Sequence, residues 1–293
     1  MLDSMREILE MAAQRNAPFW EIVLQEDLEE RQVTREASLD KMRLTWRAML
    51  EADAAYQPEL RSVSGLVGGD GGRMKAYAET KGSLCGDFLS QVIAAALRTG
   101  ESNACMRRIV AAPTAGSCGV LPAVLIPCWK TGAYTEEDIL HAMYTAAGVG
   151  AVISVRASIS GAAGGCQAEI GSASAMAAGA LVALRGGDRI QIGHAVAMAL
   201  KNLMGLICDP LGGLVEVPCV KRNVVGAVNA VSCADMALAG IESRIPVDEV
   251  IDCMGDVGRR LPVEFRETAL GGLAVTPFGL QVKEMMKNTA HGE

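Results

Sequence analysis

Aromatic residues make up only 4% of this 293-residue chain, histidine occurs three times, and alternating strand patterns are nearly absent. No basic run and no aromatic stacking motif is visible, and with a net charge of -7 and an isoelectric point near 5.2 this argues against nucleic acid as a partner. No Gly-Lys-Ser/Thr follows the glycine-rich stretch 68–72, which excludes a phosphate-binding P-loop. Neither a Ser-His-Asp nor a His-Glu-x-x-His arrangement is present. Lys201, Lys221 and the other lysines lack a context that marks a Schiff base. The cysteines number nine, an odd count without a tight disulfide-like framework, which suits a reducing compartment. The first residues, Met1-Leu-Asp-Ser-Met-Arg-Glu7, contain no apolar signal region, so a cytoplasmic location is expected.

Half of the residues are hydrophobic, and Ala, Gly and Met are abundant. That composition favours closely packed helices with small residues at their contacts. Charge is unevenly spread: residues 1–55 hold 19 charged side chains, whereas residues 101–240 hold 18. The first stretch reads as two or three amphipathic helices, with Leu39, Met42, Trp46 and Met49 at helical spacing. The second reads as helices buried on most sides.

The spacing predicts helices at about 84–98, 119–132, 136–150, 166–184, 190–204, 219–241 and 247–261. Thr135 with Asp138, and Asp188, mark helix starts. Residues 62–72 are too glycine-rich for a helix, and Val149–Val155 is the one β-like run. Ile109–Trp129 carries no charge for 21 residues, long enough to span a bilayer. Its Pro113, Pro122 and Pro127 and the turn Thr114–Ser117 exclude a span, because irregular backbone in lipid leaves polar groups unsatisfied. The expected architecture is all-α: one helical domain over 1–293, with charged N-terminal helices over 1–55 and a core over 60–280 built around glycine-rich loops.

Cys166, Cys208 and Cys219 stand apart from the other cysteines because each lies in a glycine- or proline-rich segment, in the pattern C-x41-C-x10-C. Thiolates on such backbone suit a soft metal centre. Three ligands rather than four would leave one position of a cubane iron–sulfur cluster open, and an open iron is a Lewis acid. Spacing alone leaves the alternative standing that these are small buried hydrophobes. Cys105, Cys128, Cys233 and Cys253 lie in apolar helical patterns and read as packing residues.

Three polar loops interrupt the apolar middle: 62–72, 113–118 and 158–165. Each combines hydroxyls with glycines ahead of a helix, where backbone N–H groups make a natural carboxylate site. Ordinary capping chemistry explains such loops equally well. His141 and His194 lie in expected helices and His291 in the tail, so no catalytic role is assigned to them.

The stretches Ser64-Gly-Leu-Val-Gly-Gly-Asp70, Ala112-Pro-Thr-Ala-Gly-Ser117, Ala157-Ser-Ile-Ser-Gly-Ala-Ala-Gly-Gly-Cys-Gln-Ala-Glu169, Cys208-Asp-Pro-Leu-Gly-Gly-Leu-Val-Glu-Val-Pro-Cys219 and Val220-Lys-Arg-Asn223 resemble the iron–sulfur-dependent L-serine dehydratases. More narrowly, the chain resembles the α subunit of their two-subunit form, from about residue 60 to 280. The resemblance implies a 4Fe–4S cluster on Cys166, Cys208 and Cys219, an all-helical catalytic domain, and deamination of L-serine to pyruvate and ammonia without pyridoxal phosphate. It also implies a β subunit. The family places a Ser-Ser-His-Thr-type motif with the suspected general base in a separate domain, and no such motif occurs here. No ACT-like segment is recognisable, and the tail Thr289-Ala-His-Gly-Glu293 lacks a cysteine that could cap the open iron. Cys118 stands where alanine is expected, without a functional account.

For the substrate, Ser64, Gly65, Thr114 and Ser117 are the first candidates, with Asp70 and Asn223 behind them. Two other functions are compatible with the sequence. One is L-cysteine desulfidation at the same cluster; the other is a non-catalytic iron–sulfur scaffold or redox sensor, which would carry a fourth cysteine ligand.

Overall fold

Small residues set how closely the helices of this chain approach. The structure, a computed structural model, describes residues 2–80 and 83–290. Among the described residues the protein is all-α, with thirteen α-helices and no strand. Three N-terminal helices come first: α1 (Met5–Gln14), α2 (Phe19–Arg31) and α3 (Arg35–Ala54). Ser4 and Thr34 cap α1 and α3 by accepting from the N–H groups of Glu7 and Ala37. Trp46 and Met49 are buried and Leu39 and Met42 pack beside them, as their spacing predicts.

The remaining helices are α4 (Asp70–Ala78), α5 (Gly86–Ala104), α6 (Val120–Lys130), α7 (Glu136–Arg156), the one-turn α8 (Gly161–Gly164), α9 (Ser172–Leu184), α10 (Arg189–Leu203), α11 (Cys219–Leu238), α12 (Val247–Arg260) and α13 (Pro277–Ala290). A π-helical turn, Gln167–Gly171, leads into α9. Helix α9 is the centre of the molecule, surrounded by α6, α7, α10 and α11. Every residue from Ser172 to Val182 is buried, so α9 has no polar face at all. Its run of Ala, Ser and Gly lets four helices approach it at once.

Helix α7 is the one helix among the described residues long and apolar enough to cross a membrane. Here it is a core helix, packed against α9 and α2. The uncharged stretch 109–129 is irregular as far as Gly119 and then enters α6, whose residues Val120–Cys128 are all buried.

Some expectations need correction. Val149–Val155 is not extended; it lies within α7, because a continuous apolar run fits a buried helix as well as a strand. The glycine-rich stretch 62–72 is not loop throughout, since α4 begins at Asp70. The cause is remote: the buried Glu101 carboxylate on α5 accepts from the N–H groups of Asp70 (2.7 Å) and Gly71 (3.1 Å). The expected helix 166–184 is divided by the π-helical turn, and α8 and α13 were not expected. Cys253 is exposed rather than packed.

Candidate metal centre and its polar surroundings

Three segments remote in sequence bring the loop cysteines together. Gly165 immediately precedes Cys166 with φ +75°, and a Cβ there would stand 3.0 Å from the Leu206 carbonyl oxygen. Only glycine fits that approach, which lets Gln167 N–H donate to the same Leu206 oxygen at 2.9 Å. The Gln167 side chain then accepts from Gly205 N–H (2.8 Å) and donates to the Met254 carbonyl (3.3 Å). In this way the turn carrying Cys166 is fixed to the end of α10 and to α12. Cys208 follows on, and its backbone pairs with a distant segment: its N–H donates to Phe265 O (2.8 Å) and its carbonyl accepts from Glu267 N–H (3.1 Å). Cys219 opens α11.

All three thiols are buried, at 2%, 2% and 8% exposure for Cys166, Cys208 and Cys219. The Sγ atoms of Cys166 and Cys208 and a carboxylate oxygen of Glu169 lie within 4.8 Å of one another, a group that could hold a metal ion. Cys219 Sγ falls outside that group. Arg222, on the first turn of α11, donates to Cys166 Sγ at 3.4 Å and is itself held by Asp209 (2.7 Å) and the Ile207 carbonyl (2.9 Å). The Cys208 thiol donates to Cys166, and together with Arg222 this holds Cys166 below the ordinary thiol range despite burial. The same hydrogen bond, with burial, raises Cys208. Burial, joined by the charge on Cys166, pushes Cys219 up to about 12. Burial also raises Glu169; a hydrogen bond from Thr114 opposes this and the nearby Glu267 charge adds to it.

The expected substrate residues border these segments. Ser62 and Ser64 both donate to the buried Glu216, Ser62 at 2.6 Å, which docks their loop on the turn before Cys219. Gly65 is exposed at the tip of that loop with φ +75°. Asp70 pairs with Arg73 (2.8 Å) and with Lys221 of α11 (3.2 Å). Thr114 and Ser117 join hydroxyls at 2.9 Å. Asn223 is buried with its amide fully used: Oδ1 accepts from Gly119 N–H (2.8 Å), and Nδ2 donates to the carbonyls of Gly116 (2.8 Å) and Cys219 (3.0 Å). Of these six residues, Thr114 is the one whose side chain reaches Glu169.

A family profile described as "Serine dehydratase alpha chain" matches residues 14–274. The chain belongs to this family. It is 43% identical over 295 residues to the probable L-serine dehydratase alpha chain of Bacillus subtilis strain 168, covering 100% of this chain and 97% of that one. To the L-serine dehydratase alpha chain of Peptoniphilus asaccharolyticus it is 41% identical over 285 residues, 97% of each. The L-serine dehydratase TdcG of Escherichia coli K12 is 43% identical over 182 residues, which is 61% of this chain and 40% of that one.

Glu169, Arg222, Asp209 and Glu216 were given no role by sequence reasoning. A signal existed: they are among the few charges between residues 101 and 240, and each lies within four residues of a loop cysteine. Charges in so apolar a stretch are seldom placed without a partner or a task. Cys118 is fully buried, its Sγ 3.9 Å from the Thr99 carbonyl, with burial pushing the thiol up to about 12. No histidine joins the cysteine group among the described residues. His141 stacks on Trp20, centroids 3.5 Å apart, and His194 Nδ1 accepts from Ser243 N–H at 3.3 Å. His291 lies outside the described residues.

Proposed function

We propose that the chain is the α subunit of an iron–sulfur L-serine dehydratase, which converts L-serine to pyruvate and ammonia in the cytoplasm. The observation that carries this reading is the burial of Cys166, Cys208 and Cys219 in one place beside Arg222, in a chain of the serine dehydratase α-chain family.

The residues fit a 4Fe–4S cluster. Thiolates suit iron–sulfur chemistry, and an arginine favours the ionised thiol. Ligands of a single zinc ion stand about 2.3 Å from it, so they crowd together. Cys219 lies outside the 4.8 Å group, a spread that suits several metal atoms rather than one. Arg266, bridged to Cys208, has a buried Nε without a hydrogen-bond partner, an orphaned donor that an anionic group would satisfy.

Cys166, Cys208 and Cys219 would hold the cluster, which when bound supplies a Lewis acid for the β-hydroxyl of serine. This chain's polar loops do the rest of the binding. The segments 62–69 and 113–118 would receive the rest of the substrate, and Glu216 and Asn223 hold those loops beside the cysteines. The general base comes from a second chain, the β subunit.

Anaerobic reconstitution with iron and sulfide, followed by absorbance and electron paramagnetic resonance with and without L-serine, tests the assignment. Wild type and Cys253→Ala should retain the cluster and respond to serine, while Cys166→Ala, Cys208→Ala and Cys219→Ala should each lose it. Full cluster absorbance in Cys208→Ala would overturn the ligand set.

A further inference from the structure

We propose that Glu169 receives the α-ammonium group of the substrate and thereby selects amino acids over other β-hydroxy acids. This rests on the function proposed above and assigns a part of that site to a residue with no role so far. Glu169 sits on the π-helical turn three residues after Cys166, with a carboxylate oxygen within 4.8 Å of the Cys166 and Cys208 sulfurs.

Two glycines lie against its carboxylate. A Cβ on Gly116 would stand 3.2 Å from each Glu169 oxygen, and one on Gly161 would stand 2.7 Å from Oε2. A side chain at either position would cover the carboxylate.

The partners of the neighbouring carboxylates make the contrast. Asp209 is matched by Arg222 and by the Leu273 N–H, at 2.7 and 2.8 Å. Asp70 is matched by Arg73 and Lys221, and Glu216, without a cation among the described residues, takes both the Ser62 and Ser64 hydroxyls. Glu169 has the Thr114 hydroxyl and, among the described residues, no cation. The nearby Glu267 adds a second negative charge instead. A half-buried carboxylate in this setting lacks a positive counterpart, and a ligand cation would complete it.

The substrate supplies that cation. L-Serine carries a carboxylate, which takes donors such as the loop N–H groups and hydroxyls, and an ammonium, which takes acceptors alone. Only two carbons separate its nitrogen from its hydroxyl. If the hydroxyl goes to the centre held by the cysteines, the ammonium must lie at the edge of that centre, where Glu169 is. A site built to bind a charged amine discriminates strongly against analogues that lack it.

The test uses the cluster-loaded protein and Glu169→Gln, titrated with L-serine and with 3-hydroxypropanoate, which lacks the amino group. Binding is read from the change in the cluster's absorbance and paramagnetic spectra, and iron and sulfide per chain are measured in parallel. Glu169→Gln should keep its iron and sulfide and weaken L-serine by about 10- to 100-fold, while 3-hydroxypropanoate changes by less than about threefold. Equal weakening of both ligands, or unchanged serine binding, would overturn the proposal. Loss of iron would also overturn it and make Glu169 a metal ligand instead. If Glu169→Gln does not fold, Glu267→Gln on the exposed neighbour should weaken L-serine severalfold and spare 3-hydroxypropanoate; no selective effect would then refute the ammonium seat. Wild type that holds no cluster, or ignores serine, would instead refute the proposed function itself.

Discussion

Asn223 shows how a polar residue beside the candidate site can be spent on holding two segments of the protein together. Its amide satisfies one N–H and two carbonyls, joining the 113–119 loop to the start of α11 beside Cys219. Replacement with alanine strands these buried groups, at about 1–3 kcal/mol for each left unsatisfied. Asn223→Ala should therefore lower the denaturation midpoint and reduce iron per chain, while the loaded fraction keeps a wild-type KM for L-serine. A raised KM with normal iron content would make Asn223 a substrate contact instead. Cysteines on glycine-rich backbone mark candidate ligands locally, within a few residues. The isolation of Glu169 does not show in the sequence, because it depends on where Arg222, Lys221 and Arg73 direct their charge after folding.

Helix boundaries were legible where the signal is local. Thr135 with Asp138 and Asp188 with Gln191 form capping boxes at the starts of α7 and α10. They were not legible at α4, whose first N–H groups are capped by Glu101 from another helix. Close approach between helices is equally non-local, and two glycines separate it from intrinsic propensity. Within a helix, alanine is favoured over glycine by roughly 0.5–1 kcal/mol. At Gly193 on α10 a Cβ would meet Leu9 Cδ1 at an ordinary 3.5 Å, so Gly193→Ala should raise stability by about that amount. At Gly148 on α7 a Cβ would run into Val23 Cγ2 and stand 3.2 Å from Phe19 Cε1 on α2. Valine is stiff about χ1 and cannot swing aside cheaply. Gly148→Ala should destabilise by about 1–3 kcal/mol through overpacking. Denaturant melts of the pair check both signs; stabilisation by both would mean that propensity, not the contact between α2 and α7, governs these positions.

For the whole molecule, the question is whether one chain suffices for the reaction. Removing the Cα proton of serine needs a base in place, worth ~10²–10⁴-fold in rate. The groups gathered at the cysteines are Glu169, Thr114, Ser117 and Arg222, and among the described residues no histidine joins them. His141 is occupied by its stack on Trp20, with burial holding its imidazole below the ordinary range, and His194 accepts from the backbone of Ser243. The Escherichia coli relative matches this chain over 40% of its own length, so most of that enzyme has no counterpart in the matched region. A cluster-loaded preparation of this chain alone should bind L-serine, as seen in its spectra, yet release pyruvate ~10²–10⁴-fold more slowly than the same preparation with the proposed second chain. Coupling pyruvate release to lactate dehydrogenase under anaerobic conditions, before and after adding that second chain, measures the difference. Full turnover by this chain alone would place the base within it, and Glu169, the carboxylate beside the cysteines without a cation of its own, would then be the first residue to test for proton transfer.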